Sequence, residues 1–260
     1  MKLGKITDAA YNQMPQVRNS DLGKILKSWA HFKSESLNDD LDESKALLFG
    51  RAFHAFILEE TVFWENFAIL PEGLDRRTKE GKATYEALST SGKTLISNND
   101  WNTINSMKNA LLAHPMALNI LTRSENEGAY TGEIDGVQVK CKIDLQNKGY
   151  IFDLKSTDDA SPEGFRRSIG KWNYERQAAF YTDIALQNNV EVKGFVFVAV
   201  EKKAPFNVGV YMLEKDSEEL GRNDYKKALA KYKLHTEKPE THTGYSPEIL
   251  PIASPNWRFM

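Results

Sequence analysis

The sequence predicts an α/β (α+β) fold, a central mixed sheet flanked by helices. Three observations carry this reading. Residues 137–144 alternate, with Val137, Val139, Cys141 and Ile143 on one apolar face, and residues 150–155 follow a Gln146-Asn147-Lys148-Gly149 turn, so the two runs read as a β-hairpin. Residues 194–200 are apolar on both faces, as a central strand should be. Runs with helical period lie before and after these strands.

Taken in order, residues 20–32 read as a helix capped by Ser20 or Asn19, and Asn38-Asp39-Asp40 as a break. Residues 44–59 form a second helix, and Pro71-Glu72-Gly73 a turn. Residues 98–122 read as a helix or helix pair around Trp101, Ile104, Met107, Leu111 and Leu112, punctuated at Pro115. After the hairpin, which Asp144 leaves as the last residue of its first strand, comes a helix over 172–188, clearest over 174–187. Strands at 194–200 and 208–213 and a closing helix at 217–235 complete the series. We expect one domain over 1–236, with a helical N-terminal part (1–125) and an α/β core (126–236). Residues 237–260 form an extended arm carrying Pro239, Pro247, Pro251 and Pro255 and ending in Trp257-Arg258-Phe259-Met260. Aromatics at such an end are expected to pack on the body, a neighbouring subunit or a partner.

Composition sets limits. An apolar fraction of 41% is ample for a core. No run approaches the roughly 18 apolar residues of a membrane span, and the start is polar, so a cytoplasmic protein is expected. A single cysteine, Cys141, excludes an intrachain disulfide and a four-cysteine cluster, and reads as a small core residue. A net charge of −2 is not that of a protein that coats nucleic acid, although local basic patches still set the field a nucleic acid feels.

The chemistry concentrates in Asp153-Leu154-Lys155 and Asp144. In a strand, Ile151, Asp153 and Lys155 point one way and Phe152 and Leu154 the other. Two carboxylates and an ammonium meeting at a sheet edge can hold a divalent metal and activate a water, which suits phosphodiester hydrolysis. Taken alone, the same hairpin also reads as a surface element with solvated charges. Gln177 and Tyr181 are an i, i+4 pair on one helix face. Gly50 lies one turn before His54, which reads as a core histidine or as a ligand. Residues 73–84 carry Arg76, Arg77, Lys79 and Lys82 and read as a solvated loop or as a basic flap that grips a phosphate backbone. Glu133 reads as an exposed turn residue, a third carboxylate without supporting spacing.

Gly50…His54, Asp144, Asp153-Leu154-Lys155 and Gln177…Tyr181 together resemble the PD-(D/E)xK nucleases, in particular the RecB-like branch, in motif and in order. The segments around Gly50–Glu59, Asp75–Lys82, Asp153–Thr157 and Tyr174–Gln177 are similar to phage and prophage exonucleases of the exonuclease VIII type, over roughly residues 15 to 215. One departure is Cys141, where RecB-like relatives often carry glycine.

The resemblance implies a restriction-endonuclease-like core and a metal site of His54, Asp144, Asp153 and the Leu154 carbonyl. Mg²⁺ would be the cofactor, with Mn²⁺ able to substitute because imidazole suits it. It implies that Lys155 orients the water and that Gln177 and Tyr181 position the phosphate or the inner ligands. Arg51, Arg76, Arg77, Lys79 and Lys82 become the candidates for DNA backbone contacts, with Ser156 and Thr157 donating hydroxyl bonds to phosphate. It further implies digestion of linear duplex DNA from 5′ ends to leave 3′ overhangs for recombination, a homo-oligomeric ring, and an annealing partner protein in a bacterial host. The competing readings are a structure-selective or restriction-type endonuclease of the same fold, and a non-catalytic module that binds DNA ends or a partner.

Overall fold

A computed structural model describes residues 1–38, 44–238 and 244–254. The chain opens with β1 (Lys2–Gly4), α1 (Asp8–Gln13), α2 (Asn19–Lys27), α3 (Trp29–Asn38), α4 (Lys45–Leu58) and α5 (Glu60–Asn66). Next come β2 (Phe67–Ile69), α6 (Lys79–Ser89), β3 (Thr94–Ile96), α7 (Asn98–Ala113) and α8 (Pro115–Arg123). The α/β part follows: β4 (Glu125–Ile134), β5 (Val137–Asn147), β6 (Tyr150–Thr157), α9 (Pro162–Trp172), α10 (Tyr174–Gln187), β7 (Gly194–Glu201), β8 (Val208–Met212) and α11 (Lys215–Glu237).

Six strands form one mixed sheet in the order β1-β4-β5-β6-β7-β8. Within this sheet only the β6–β7 pair is parallel, with α9 and α10 as its crossover, while β2 and β3 form a separate parallel pair. Two-residue turns close the β4–β5 and β5–β6 hairpins, with positive φ at Asp135-Gly136 and at Lys148-Gly149. That geometry matches the twist of the flanking strands and favours glycine at the second position. The sheet is packed on both faces. One layer joins Val137, Val139, Cys141, Ile143 and Ile151 to α2, α10 and α11 through Leu22, Phe180 and Tyr225. The other joins Phe152, Leu154, Val196 and Val198 to α4, α5 and α7 through Phe53, Phe63 and Ile104. β7 is buried on both faces from Gly194 to Val200.

Several expectations are corrected. The run 20–32 is two helices, broken at Ser28, where the backbone is extended. Neither Ser20 nor Asn19 caps the first; the Arg18 N–H donates to the Asp21 carboxylate at 3.0 Å, because a carboxylate in the first turn can reach back to that amide. β5 does not end at Asp144 but runs to Asn147. Glu133 lies in β4 rather than in a turn. Short strands β1, β2 and β3 lie within the stretch expected to be helical. The run 172–188 begins a helix only at Tyr174, since Asn173 is left-handed (φ 54°) and separates it from α9. Residues 73–84 are part loop and part helix, because Thr78 caps α6 by accepting from the Gly81 N–H. Pro115 does split 98–122 into two helices. In the arm, residues 244–254 contain no helix or strand. Asp39, Asp40, Pro239, Pro255, Trp257, Arg258, Phe259 and Met260 lie outside the described residues.

Candidate active site

The β5–β6 ladder stops early. Asn147, Gln146 and Leu145 pair with Tyr150, Ile151 and Phe152, and no pair follows. An unbroken ladder would set Asp144 opposite Asp153 and Ile143 opposite Leu154. Instead the Leu154 N–H donates to Asp144 Oδ2 at 2.9 Å. Alternation also fails across Asp144, because Ile143 packs into one layer of the core and Leu145 into the other. The strand therefore rotates at Asp144 as it leaves β6, and its carboxylate enters the gap.

Side chains from both helical layers meet at this gap. From α4, His54 Nδ1 lies 3.5 Å from Asp144 Oδ2. From β6, Asp153 and Lys155 share the face predicted for them, with Nζ 2.5 Å from Asp153 Oδ2. From α10, the Gln177 amide donates to Asp153 Oδ1 at 2.7 Å and its carbonyl accepts from Lys155 at 3.0 Å. The Tyr174 ring covers the same ammonium at 4.7 Å.

Charge is balanced tightly in this part-buried place. Burial pushes the Asp153 carboxyl up, and the nearby Asp144 charge adds to it, against the pull of Lys155. Burial also acts on Asp144, but the charge and hydrogen bond of His54, with Lys155 and the Leu154 amide, hold it below the usual carboxylate range. His54 and Lys155 are desolvated as well, yet the facing carboxylates raise both.

A family model for a PDDEXK-like domain of unknown function (DUF3799) matches residues 19–245. The chain belongs to this family. No curated protein matches it. A crystal structure of a Eubacterium rectale protein, provisionally named an exonuclease, superposes with a TM-score of 0.67 at 15% identity, covering 98% of each chain. That likeness shows the fold, and with the family match it makes this a PDDEXK-like nuclease fold. A second structure, SSO0001, has a TM-score of 0.29 at 14% identity over 68% of this chain and 85% of its own, too low to bear on the fold.

Within this PDDEXK-like domain, the sequence-predicted residues divide into groups. His54, Asp144, Asp153, Leu154, Lys155 and Gln177 are brought together. Tyr181 lies behind them, half-buried against the core, and burial, with Tyr11, Cys141 and both carboxylates adding to it, pushes its hydroxyl well up. The buried Thr157 hydroxyl donates to the Asp159 carbonyl at 3.2 Å, in the β6–α9 turn. Ser156 is half-buried beside it. Arg77 forks onto Asp75 at 2.9 Å, and Arg76 lies 3.7 Å from the Tyr85 ring. Lys79 and Lys82 are exposed on α6, and Arg51 lies 5.6 Å from the Phe67 ring. Cys141 is buried in the core as expected, its thiol pushed up by burial.

Two residues escaped the sequence reading. Tyr174 was legible as i−3 from Gln177, on the face that reaches Lys155. Lys140 was not. It is buried, and its ammonium donates to the carbonyls of Tyr11 and Met14 at 2.6 and 2.7 Å, fastening α1 onto β5.

Asp144, Asp153 and His54 suit a divalent cation in donor chemistry, two hard carboxylates and an imidazole. Among the described residues they do not form a closed three-ligand group, since the carboxylates are engaged with His54, Lys155 and Gln177. A cation would replace those contacts.

Proposed function

We propose that this PDDEXK-like domain is a metal-dependent exodeoxyribonuclease that degrades linear double-stranded DNA, 5′ to 3′, leaving 3′ single-stranded overhangs for recombination. The observation that supports it is the Asp153–Lys155–Gln177 chain of contacts facing Asp144 across the split in the sheet. His54, Asp144, Asp153 and the Leu154 carbonyl would hold Mg²⁺ or Mn²⁺. The N–H and C=O of one strand residue point to the same side, so a carbonyl whose amide bonds Asp144 opens on the same gap. A bound cation would supply charge neutralisation at the scissile phosphate and a more acidic water.

The protein groups then have distinct tasks. The Lys155 ammonium, raised by its carboxylate neighbours and so kept charged, orients the attacking water and offsets charge gathering on the phosphate. Gln177 fixes Lys155 and Asp153 relative to one another. The Tyr174 ring screens the ammonium from bulk water on one side. Arg51, Arg76, Arg77, Lys79 and Lys82 contact the DNA backbone, with Ser156 nearer the centre. As in the similar phage exonucleases, the working form is a homo-oligomeric ring that feeds an annealing protein in the cytoplasm. No described helix is long and apolar enough to cross a membrane.

The test is digestion of linear and covalently closed circular duplex in Mg²⁺, with labels at 5′ or 3′ ends. Release of 5′-terminal nucleotides from the linear form, with the circle intact, is expected. Cuts in the circle would make the protein an endonuclease, and no Mg²⁺-dependent release from either would sink the reading.

A further inference from the structure

Beside the carboxylate cluster, α9 ends in a large exposed ring. Phe165, Ile169 and Trp172 follow the i, i+4, i+7 spacing of a buried helical stripe. Phe165 is in the core and Ile169 packs against it, but Trp172 overhangs its edge and is 57% exposed. The left-handed Asn173 ends the helix there and turns the chain so that the next residue is Tyr174, over Lys155. Only one residue thus separates the exposed indole from the ring that covers the site lysine.

Lysines stand beside Trp172 and just past the end of β7. Lys171 Nζ lies 4.7 Å from its ring centroid. Asp158, just past the end of β6, pairs with Lys202 at 2.9 Å, and the charges of Lys203 and Lys171 also bear on it. Lys202 is fixed there by its N–H, which donates to the Thr157 carbonyl at 2.9 Å, two residues from Lys155. Lys171 and Lys203 are exposed.

We propose that Trp172, with Lys171, Lys202 and Lys203, is a binding site for single-stranded DNA, in which an unpaired base stacks on the indole and the lysines hold the flanking phosphates. An exposed indole with lysines nearby offers both things a single strand needs, a π-face and a positive path for the backbone. Bases inside a duplex are covered by their neighbours and cannot use it. A protein partner would look for an apolar surround, and Trp172 has lysines. The inference rests on the nuclease reading in one respect: it sets the unpaired part of the substrate next to Lys155.

The experiment uses the full chain in chelator, so that nothing is cut, and a fluorescently labelled oligothymidylate as probe. Trp172→Ala should weaken binding about tenfold, and Trp172→Phe should recover most of the loss, because stacking on an aromatic ring tolerates its identity. Lys171→Ala with Lys203→Ala should flatten the dependence of affinity on salt. A blunt duplex should lose less than about twofold in the Trp172→Ala protein, since it presents only terminal base faces. Equal oligothymidylate binding by wild type and Trp172→Ala, at equal melting temperature, overturns the proposal. So does loss of self-association in Trp172→Ala with DNA binding unchanged, which would make the ring a protein contact. Cleavage by wild type in Mg²⁺ is scored separately: absent hydrolysis with a clear Trp172 effect removes the nuclease reading and leaves this site standing.

Discussion

The Asp144 carboxylate takes the N–H of Leu154 at 2.9 Å, the amide that Ile143 would have faced had the β5–β6 ladder continued. One side chain thereby does two things. It satisfies a strand amide that the split would leave unpaired, and it carries a negative charge into the gap beside His54.

The two roles separate by substitution. Asp144→Asn keeps an acceptor for the Leu154 amide and, at alkaline pH where the His54 ring is neutral, should change stability by less than about 0.5 kcal/mol, within the scatter of a neutral hydrogen bond. Asp144→Ala leaves that amide unpaired and should cost roughly 1–3 kcal/mol. Both should lose Mg²⁺-dependent cleavage by at least about a hundredfold, as removal of a group that offsets charge at a reacting centre does. Denaturant melts alongside nucleotide release read both; retained cleavage in Asp144→Asn would remove Asp144 from the metal site.

Lys155 is held from three sides, by Asp153, Gln177 and the Tyr174 ring. Lys155→Ala should lower kcat by about 10²–10³. Lys155→Arg should restore little of it, because a planar fork cannot occupy the place of a compact ammonium. Gln177→Ala should lower kcat by about tenfold, a fraction of the Lys155 effect, with KM nearly unchanged, since it orients and does not bind. Near-normal rates in Lys155→Arg would make Lys155 a generic positive charge.

Much of this was readable in the sequence, and the failures have physical causes. The faces of Asp153 and Lys155 follow from strand alternation, which holds because β6 is paired along its length with β7. The same rule fails at Asp144, where β5 parts from β6 while staying paired with β4 on its other edge. β4 went unread although Asp135-Gly136, a strong hairpin signal, stands directly before Val137. Its residues 125–134 mix charge, glycine and apolar side chains too irregularly to show a period. The burial of Lys140 depends on carbonyls at Tyr11 and Met14, more than 120 positions away, and no local pattern encodes such a partner.

Gly221 sets how closely α11 approaches α10. A Cβ built there would meet the Glu175 carbonyl oxygen at 2.1 Å and the Arg176 nitrogen at 2.7 Å, both backbone atoms that cannot step aside. Glycine inside a helix ordinarily costs about 0.5–1 kcal/mol relative to alanine, so its presence marks this contact as the stronger demand. Gly221→Ala should therefore destabilise the protein by about 1–3 kcal/mol despite better helix propensity. It should also lower cleavage, because α10 carries Tyr174 and Gln177. A melting temperature equal to or above wild type would show that α11 adjusts freely.

His54 gives the pH dependence its sign. The Asp144 charge raises the imidazole above its ordinary value of about 6.5, against the effect of burial. A raised folded value means that the pairing adds stability that is fully present below the unfolded value and is lost as pH rises through the folded one. In chelated protein the melting-temperature advantage of wild type over His54→Gln should therefore be largest at acid pH and vanish at alkaline pH. Divalent cation uptake should run the other way. Ligation needs the neutral ring, so below the folded value each cation bound displaces a proton and apparent affinity improves with rising pH. Titration calorimetry with Mn²⁺ in two buffers of different ionisation enthalpy counts that proton. Wild type should release it near neutral pH and His54→Gln should not; equal heats for wild type in both buffers, with Mn²⁺ still bound, would place His54 outside the metal site.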